Sequence, residues 1–563
     1  MMNSTPLLPV PPLAETAERY LQWVRPLLDD AEFAHTQALT TQFVAHEGAQ
    51  LQQDLLRFAA EKQNSSWLID AWLQSYLAGR EPLPLVSNVG FAVEHQGRLK
   101  GVEGLARWVA AAAAVHADYL HGRIEAAQTP QGQPVCLRQW RVLQGAVRVA
   151  APDCDRYEFA AAAAEGRCIG VFWHGYYYRL PALDGQGRPY AAEAFQTALL
   201  QIIADTAENP YPVATPALLG SKRGAPVCHA LAQVSQNAEL LAQMREDLFH
   251  ISLQDMPGLS EDEELHAATF NSGGWVYKPL GYRYNLAGGH LAVHCEHTWP
   301  DGGMIKGMVA RILQQLANPA GVAVAELAPS RKEWVLTAAQ QQAWPQWQAQ
   351  YADQAAAMRV SSCEISWPQP AQKGISQDAL IQFALQYAQL RTWGRVRNTY
   401  EAVDVSHFQS GRTECIRPLS MASLCLVQAL AEGAADKAVL QAALVEHKNR
   451  VKACKTGHGV NRHLLGLKLM AQQRGSVPAW FDDKAYGLLC EDFLSTSTLG
   501  DGEIIRNFAF APTSPGGLGI NYTMLPQSWL LTVSYTDGQA EAVENFQTAF
   551  TEGARKLWAL AFD

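Results

Sequence analysis

In the stretch Glu296-His297-Thr298-Trp299-Pro300-Asp301-Gly302 an imidazole and a carboxylate stand four residues apart on a turn that contains glycine. A neutral imidazole takes a proton from a hydroxyl or a thiol at physiological pH if a partner fixes its tautomer, and Asp301 is the local candidate for that partner. The apolar run before it, 291–295, reads as a strand, so His297 is expected at a strand end, where a reactive side chain can face a cleft. On this stretch alone, a purely structural His-Asp turn would use the same residues.

Further residues could serve such a base. Tyr400-Glu401-Ala402 and Gly411-Arg412-Thr413-Glu414 bring a phenol and a hydroxyl into segments able to converge across a turn or paired strands, where both could hold an anionic group. Core packing by Tyr400 and turn capping by Thr413 would account for them as well. Arg462 opens the apolar segment Arg462-His463-Leu464-Leu465-Gly466-Leu467, where a guanidinium could grip a carboxylate at two points or form an ordinary salt bridge. In Ser495-Thr496-Ser497-Thr498, strand alternation points Ser495 and Ser497 to one side, a disposition suited to a developing oxyanion but also common at strand edges. Other chemistries find little support. The run 512–519 lacks both GxGxxG and a P-loop lysine and reads as a turn or hairpin. His294 and His297 would face opposite sides of a strand, and no second cluster of ligand spacing exists, so no metal is expected. No GxSxG elbow presents a serine nucleophile, and Asn271-Ser272-Gly273-Gly274 reads as a turn.

The elements that must position these groups are those of a large α/β protein. At 563 residues the chain is too long for one core and implies two large domains, or three, and its 48% hydrophobic and 17% charged content is that of a globular protein. After a proline-rich opening, residues to about 78 pattern as helix, a covering layer in which Tyr20, Trp23 and Leu27 share a face. Residues 135–300 mix strand-like runs such as 171–178 with helical ones such as 191–204 and 229–251. Around 320–375 the composition shifts to Gln, Ala and Pro, and 340–350 shows little periodicity, which suggests a domain junction. Beyond it 378–394 reads as a long helix, 421–450 as helix interrupted near Gly433, and 529–535 as a strand.

The net charge of −10 argues against the basic surface that nonspecific nucleic-acid binding needs. It is uneven, however. From Arg391 to Lys468 seven arginines and five lysines face six acidic residues, a local +6 that would attract a polyanionic small molecule or be merely a solvated basic face. Ten cysteines without CxxC pairs read as reduced thiols, no secretory or membrane segment is evident, and the alanine-rich run 110–115 reads as a packed helix, so a cytoplasmic location is expected.

Taken together, Cys295-Glu296-His297 with Asp301-Gly302, the Tyr400 to Thr413 block, Arg462-His463-Leu464-Leu465-Gly466-Leu467-Lys468 and Ser495-Thr496-Ser497 resemble the choline/carnitine acyltransferase family, and they occur in its order. Weaker matches extend from Pro9-Val10-Pro11-Pro12-Leu13 through Pro134-Val135-Cys136, Asn271-Ser272-Gly273 and Lys278-Pro279-Leu280 to the last strand. The resemblance implies two chloramphenicol-acetyltransferase-like domains, 1–335 and 336–563, each a mixed sheet flanked by helices, with a segment near 80–115 packing on the second and an active-site tunnel between them. It implies reversible transfer of a short acyl group between acyl-CoA and the carnitine hydroxyl, with His297 as base assisted by Asp301, Ser497 supporting the oxyanion, and no acyl-enzyme.

By the same resemblance Tyr400, Thr413, Arg462 and Ser495 would hold the carnitine carboxylate, and Phe510 would lie by its trimethylammonium group. Lys373, in a shortened basic loop, with Ser376, Asp378, Lys448 and Thr498, would contact coenzyme A, and Phe508 would close the acyl pocket. The partners implied are carnitine and acyl-CoA, with no nucleic acid, no transmembrane segment and a monomeric state. Choline acetylation, medium-chain transfer and a binding protein that keeps the fold are the alternatives. Asn461, Ala402 and Asp301 stand where relatives commonly carry an acid, a serine and a glutamate.

Overall fold

The computed structural model describes residues 5–63, 65–129, 131–317, 323–371 and 374–562. Two mixed sheets organise the chain. The large one has eight strands in the spatial order Ile505–Phe510, Val89–Val93, His290–Cys295, Gly281–Asn285, His250–Gln254, Cys168–Trp173, Tyr176–Pro181 and Ser330–Lys332. The second has six, in the order Met358–Ser366, Ser528–Thr536, Leu518–Leu525, Leu494–Ser497, Thr399–Asp404 and Thr413–Ile416. The large sheet therefore draws its outermost strand, Ile505–Phe510, from the second half of the chain. That strand runs antiparallel to Val89–Val93, with Phe508 opposite Phe91.

Burial explains the layers. Helices Gly101–Leu120, Ala192–Ile203 and Gly302–Ala317 press Trp108, Leu199, Met308 and Ile312 onto the apolar face of the large sheet, where Phe91, Val293 and Ile251 lie. The alanine-rich run is part of this core, with Ala111, Ala112 and Ala113 buried. Helices Gln377–Trp393, Met421–Glu432, Lys437–Lys455 and Ala540–Phe562 cover the second sheet around Phe383, Ile520, Leu531 and Phe546. The N-terminal helices form the expected covering layer, packing Tyr20, Trp23, Leu55 and Trp72 against Leu464, Leu467 and Trp480 of the second half.

Local chemistry sets the boundaries. Helix Gln377–Trp393 begins at Ser376, whose hydroxyl accepts from the Ala379 N–H, and ends on Gly394 in the left-handed conformation. Gly433 likewise ends Met421–Glu432 in the left-handed conformation, before Lys437–Lys455 begins. Three sequence expectations differ from the fold. Residues 171–178 are two strands of a hairpin, because His174 and Gly175 both take positive φ. Residues 229–251 hold the end of one helix, a second helix Ser235–Glu246, and the start of strand His250–Gln254. The stretch 340–350 lies in helix Ala338–Ala356, opened by a Thr337–Gln340 capping box and containing Pro345. Among the described residues no helix is long and apolar enough to cross a membrane.

Candidate active site

Strand His290–Cys295 delivers the chain into a tight segment, 296–301, that ends where helix Gly302–Ala317 starts. Both neighbours of His297 are pinned. The Glu296 carboxylate is fully buried and accepts from the Thr298 hydroxyl, from the Thr298 N–H at 3.3 Å and from Arg148 at 3.3 Å, while Arg148 also pairs with Asp155 at 2.7 Å. His297 itself keeps a quarter of its side chain exposed. Its Nδ1 lies 2.7 Å from the Pro300 carbonyl oxygen. A carbonyl only accepts, so Nδ1 carries the hydrogen and Nε2 presents its lone pair, the tautomer a general base needs.

The partner that sets the tautomer is thus a main-chain carbonyl, where the spacing suggested Asp301. Asp301 Oδ1 is 3.8 Å from Nδ1, and its carboxylate is taken by Arg412, whose Nε and Nη2 donate at 2.7 and 2.8 Å. Arg412 also donates to the carbonyls of Thr298 at 2.7 Å and His297 at 3.2 Å, so a residue of the second half clasps the segment carrying His297. Burial opposes the charge on Asp301, but the guanidinium prevails and holds the carboxyl below its usual range. Burial lowers the His297 pKa from its ordinary value, with Asp301 pulling the other way and Arg412 adding to the depression.

The second sheet supplies a face. Strands Thr399–Asp404 and Leu494–Ser497 run parallel with Tyr400 beside Ser495, and Asp404 pairs with Thr413 across the antiparallel partner, so alternation sets Tyr400, Thr413, Ser495 and Ser497 on one side. Arg462, in the first turn of helix Asn461–Gln473, reaches this face: Nη2 is 3.4 Å from the Tyr400 hydroxyl and Nε donates to the Thr413 carbonyl at 3.2 Å. Its guanidinium lies 4.6 Å from the Trp72 indole and forms no ion pair among the described residues. Burial disfavours its charge, yet Tyr400 and Glu414 outweigh that and raise its pKa. Glu414 is buried, with its pKa pushed up to about 7, and accepts from the N–H groups of Cys415 and Arg462 rather than from the guanidinium. A narrow crevice of about 20 Å³, room for little more than a water molecule, is lined by Trp72, Arg412, Thr413, Glu414 and Arg462.

Phe510 lies at the edge of this face. Its ring covers Gly519, which sits beside Ser495, and a Cβ on Gly519 would come within 3.3 Å of it. Phe508 is 4% exposed, and its ring centroid is 5.2 Å from that of Phe91. Phe91 also flanks Gly302, the first residue after the turn. No hydrogen bond joins Ser497 to His297 among the described residues, but the chain just beyond it is tied to the same helix start: Lys306 donates to the Leu499 carbonyl at 2.8 Å and to Asp501 at 2.9 Å.

The residues expected at coenzyme A are more dispersed. Lys373 lies outside the described residues. Ser376 is an N-cap, Lys448 is exposed on helix Lys437–Lys455, and the Thr498 hydroxyl accepts from the Gly500 N–H. Asp378 accepts from the Tyr522 hydroxyl at 2.6 Å and lies 3.2 Å from His447 Nε2. With Glu401 they form a trio whose potential ligand atoms are within 4.8 Å of one another. Burial and the adjacent Asp378 raise the Glu401 pKa well above the carboxylate range.

Residues not singled out from the sequence complete the site. Arg412 was signposted only by its place between Gly411 and Thr413. Trp72 and Tyr76, one helical turn apart in Ile69–Leu77, present rings to the two arginines and, at 5.7 Å, to the His297 ring.

The family model for choline/carnitine O-acyltransferases matches residues 8–552. Human carnitine O-acetyltransferase is 26% identical over 558 residues, covering 92% of this chain and 87% of the relative. The mitochondrial carnitine O-palmitoyltransferase 2 of Xenopus tropicalis is 25% identical, covering 92% and 86%. Among solved structures, the trichothecene 15-O-acetyltransferase TRI3 of Fusarium sporotrichioides aligns over 86% of this chain and 94% of its own, at 9% identity and a TM-score of 0.42. With a family match running almost from end to end, from residue 8 to residue 552, the chain belongs to the choline/carnitine O-acyltransferase family.

Proposed function

We propose that this protein transfers a short acyl group reversibly between acyl-CoA and the hydroxyl of carnitine. The observation that carries this reading is Arg462: a half-buried guanidinium beside the Tyr400 hydroxyl and Thr413, with no ion-pair partner among the described residues. A guanidinium with no carboxylate in direct contact in such a place suits an anionic substrate group, which carnitine has and choline lacks. The ring of Phe510, next to Ser495 across Gly519, is suited to a quaternary ammonium.

In this mechanism His297 Nε2 takes the proton of the carnitine hydroxyl as its oxygen attacks the thioester carbonyl. The Ser497 hydroxyl donates to the tetrahedral oxyanion. The intermediate then collapses, the carbon–sulfur bond breaks, and the imidazolium returns its proton to the thiolate, giving acylcarnitine and coenzyme A. Arg412 keeps Asp301 ionised beside the imidazole, favouring the transient imidazolium. Replacing Ser497 by Ala is expected to cost roughly 2.7–4 kcal/mol of transition-state stabilisation, a fall in kcat of about 10²–10³.

The test is thiol release from acetyl-CoA with L-carnitine or choline as acceptor, using the wild type, His297→Ala and Arg462→Ala. Release with carnitine that is lost in His297→Ala, and whose carnitine KM rises steeply in Arg462→Ala, supports the reading. Release with choline alone sinks the carnitine assignment. Coenzyme A binding by calorimetry without turnover would favour a binding protein. The buried Phe508–Phe91 pair favours short chains. Phe508→Gly should admit longer ones, and faster turnover of palmitoyl-CoA than of acetyl-CoA by the wild type would overturn that preference.

A further inference from the structure

The segment 136–139 ties together parts of the site that are far apart in sequence. Cys136 N–H donates to the Ser406 carbonyl at 2.8 Å, and its Sγ accepts from the Ser410 N–H at 3.3 Å. Arg138 donates to the Ser410 hydroxyl at 3.2 Å, and its carbonyl accepts from the Trp299 indole at 3.0 Å. Gln139 ends this strap. It is 7% exposed, its Oε1 accepts from the Asp301 N–H at 2.7 Å, and its Nε2 donates to Asp301 Oδ2 at 2.9 Å, with the Gly411 carbonyl at 3.5 Å. One amide thus grips both the backbone and the carboxylate of Asp301, beside the loop that carries Arg412.

We propose that Gln139 is a positioning residue that seats the Asp301 carboxylate on Arg412 and away from the imidazole, leaving the Pro300 carbonyl to fix the His297 tautomer. The proposal rests on His297 being the base of the acyl transfer. Asp301 has two candidate partners, Arg412 at hydrogen-bonding distance and His297 Nδ1 at 3.8 Å. A carboxylate released from Gln139 can swing to Nδ1, drawing the ring off Pro300 and turning Nε2 from its productive direction. The charged groups acting on the imidazole are Asp301, Arg412 and Glu296, and Tyr76 packs on it from helix Ile69–Leu77.

The experiment is long-range 15N–1H NMR of histidine-labelled protein, with the His297 ring assigned through His297→Ala, in wild type, Gln139→Leu and Gln139→Asn. Leu removes both hydrogen bonds, and Asn is too short to make both, so either variant serves if the other fails to fold. Titration of His297 at higher pH than in the wild type, together with a kcat lower by about 10- to 100-fold at unchanged acyl-CoA KM, is the expected result. A His297 titration and tautomer identical to wild type overturn the proposal, whatever the rate does. The NMR readout needs no turnover, so a wild type silent toward every acceptor would sink the transfer reading while leaving this inference testable.

Discussion

Asp301 and Arg412 form a two-point ion pair whose side chains are 9% and 4% exposed. Removing one partner of such a pair leaves the other charge buried and uncompensated, so Asp301→Ala is expected to lower stability by about 3–5 kcal/mol in urea unfolding. A loss under about 1 kcal/mol would show the guanidinium finding water instead. At His297, burial depresses the pKa below the ordinary imidazole value, so the neutral base persists as pH falls through that value. The acidic limb of kcat/KM should accordingly lie below about pH 6.5, and a limb at or above it would contradict the burial argument. The turn and an imidazole placed to act as a base are legible from residue types and spacing, while the choice of a catalytic over a structural His-Asp turn came from the family resemblance. The Pro300 carbonyl is not, because every residue carries a carbonyl and only the fold chooses one. Arg412 and Gln139 are hidden for a different reason: they meet Asp301 from more than a hundred residues away.

Among the elements, strand alternation predicted that Ser495 and Ser497 share a face, and the parallel pairing of Leu494–Ser497 with Thr399–Asp404 adds Tyr400 to it. The hairpin in 171–178 escaped notice because its turn is only His174 and Gly175 within an aromatic run. Gly519 is the element-level device that seats Phe510. In Gly519→Ala the new Cβ would lie 2.6 Å from the Phe510 carbonyl oxygen and 2.5 Å from the Ser534 hydroxyl, forcing strand Ile505–Phe510 outward. Carnitine KM should then rise more than acyl-CoA KM, and equal changes in both would argue against Phe510 as an ammonium contact. Strand His290–Cys295 carries a second buried imidazole. His294 Nδ1 donates to the Ala268 carbonyl, Nε2 accepts from Asn88, and burial lowers its pKa to about 4. Its stabilisation is full above the unfolded value and is lost as pH falls from about 6.5 through 4, about 3 kcal/mol in all. His294→Gln should remove that step from stability measured against pH.

On the scale of the whole molecule, an α/β character for each half was foreseeable from the mix of strand-like and helical runs, and two mixed sheets flanked by helices from the family resemblance. The crossing of Ile505–Phe510 into the large sheet was not, since a short apolar strand bears no mark of the sheet it joins. The crossing makes the halves interdependent. Residues 1–335 expressed alone would leave the edge of Val89–Val93 bare and Phe91 without Phe508. That fragment is expected to aggregate, which sedimentation velocity would show, and a soluble monomer would refute the interdependence. The polar face and the base likewise come from different sheets, and Arg412 and Gln139 join them.

The same crossing bears on how the chain is made. Val89–Val93 finds its last neighbour only after about four hundred more residues have left the ribosome. At ordinary elongation rates that is roughly half a minute of waiting with an unsatisfied, apolar sheet edge. The nascent N-terminal half is therefore expected to be a natural client for chaperones, and the segment carrying His297 gains its clasp only once Arg412, nearly three quarters of the way along the chain, has emerged.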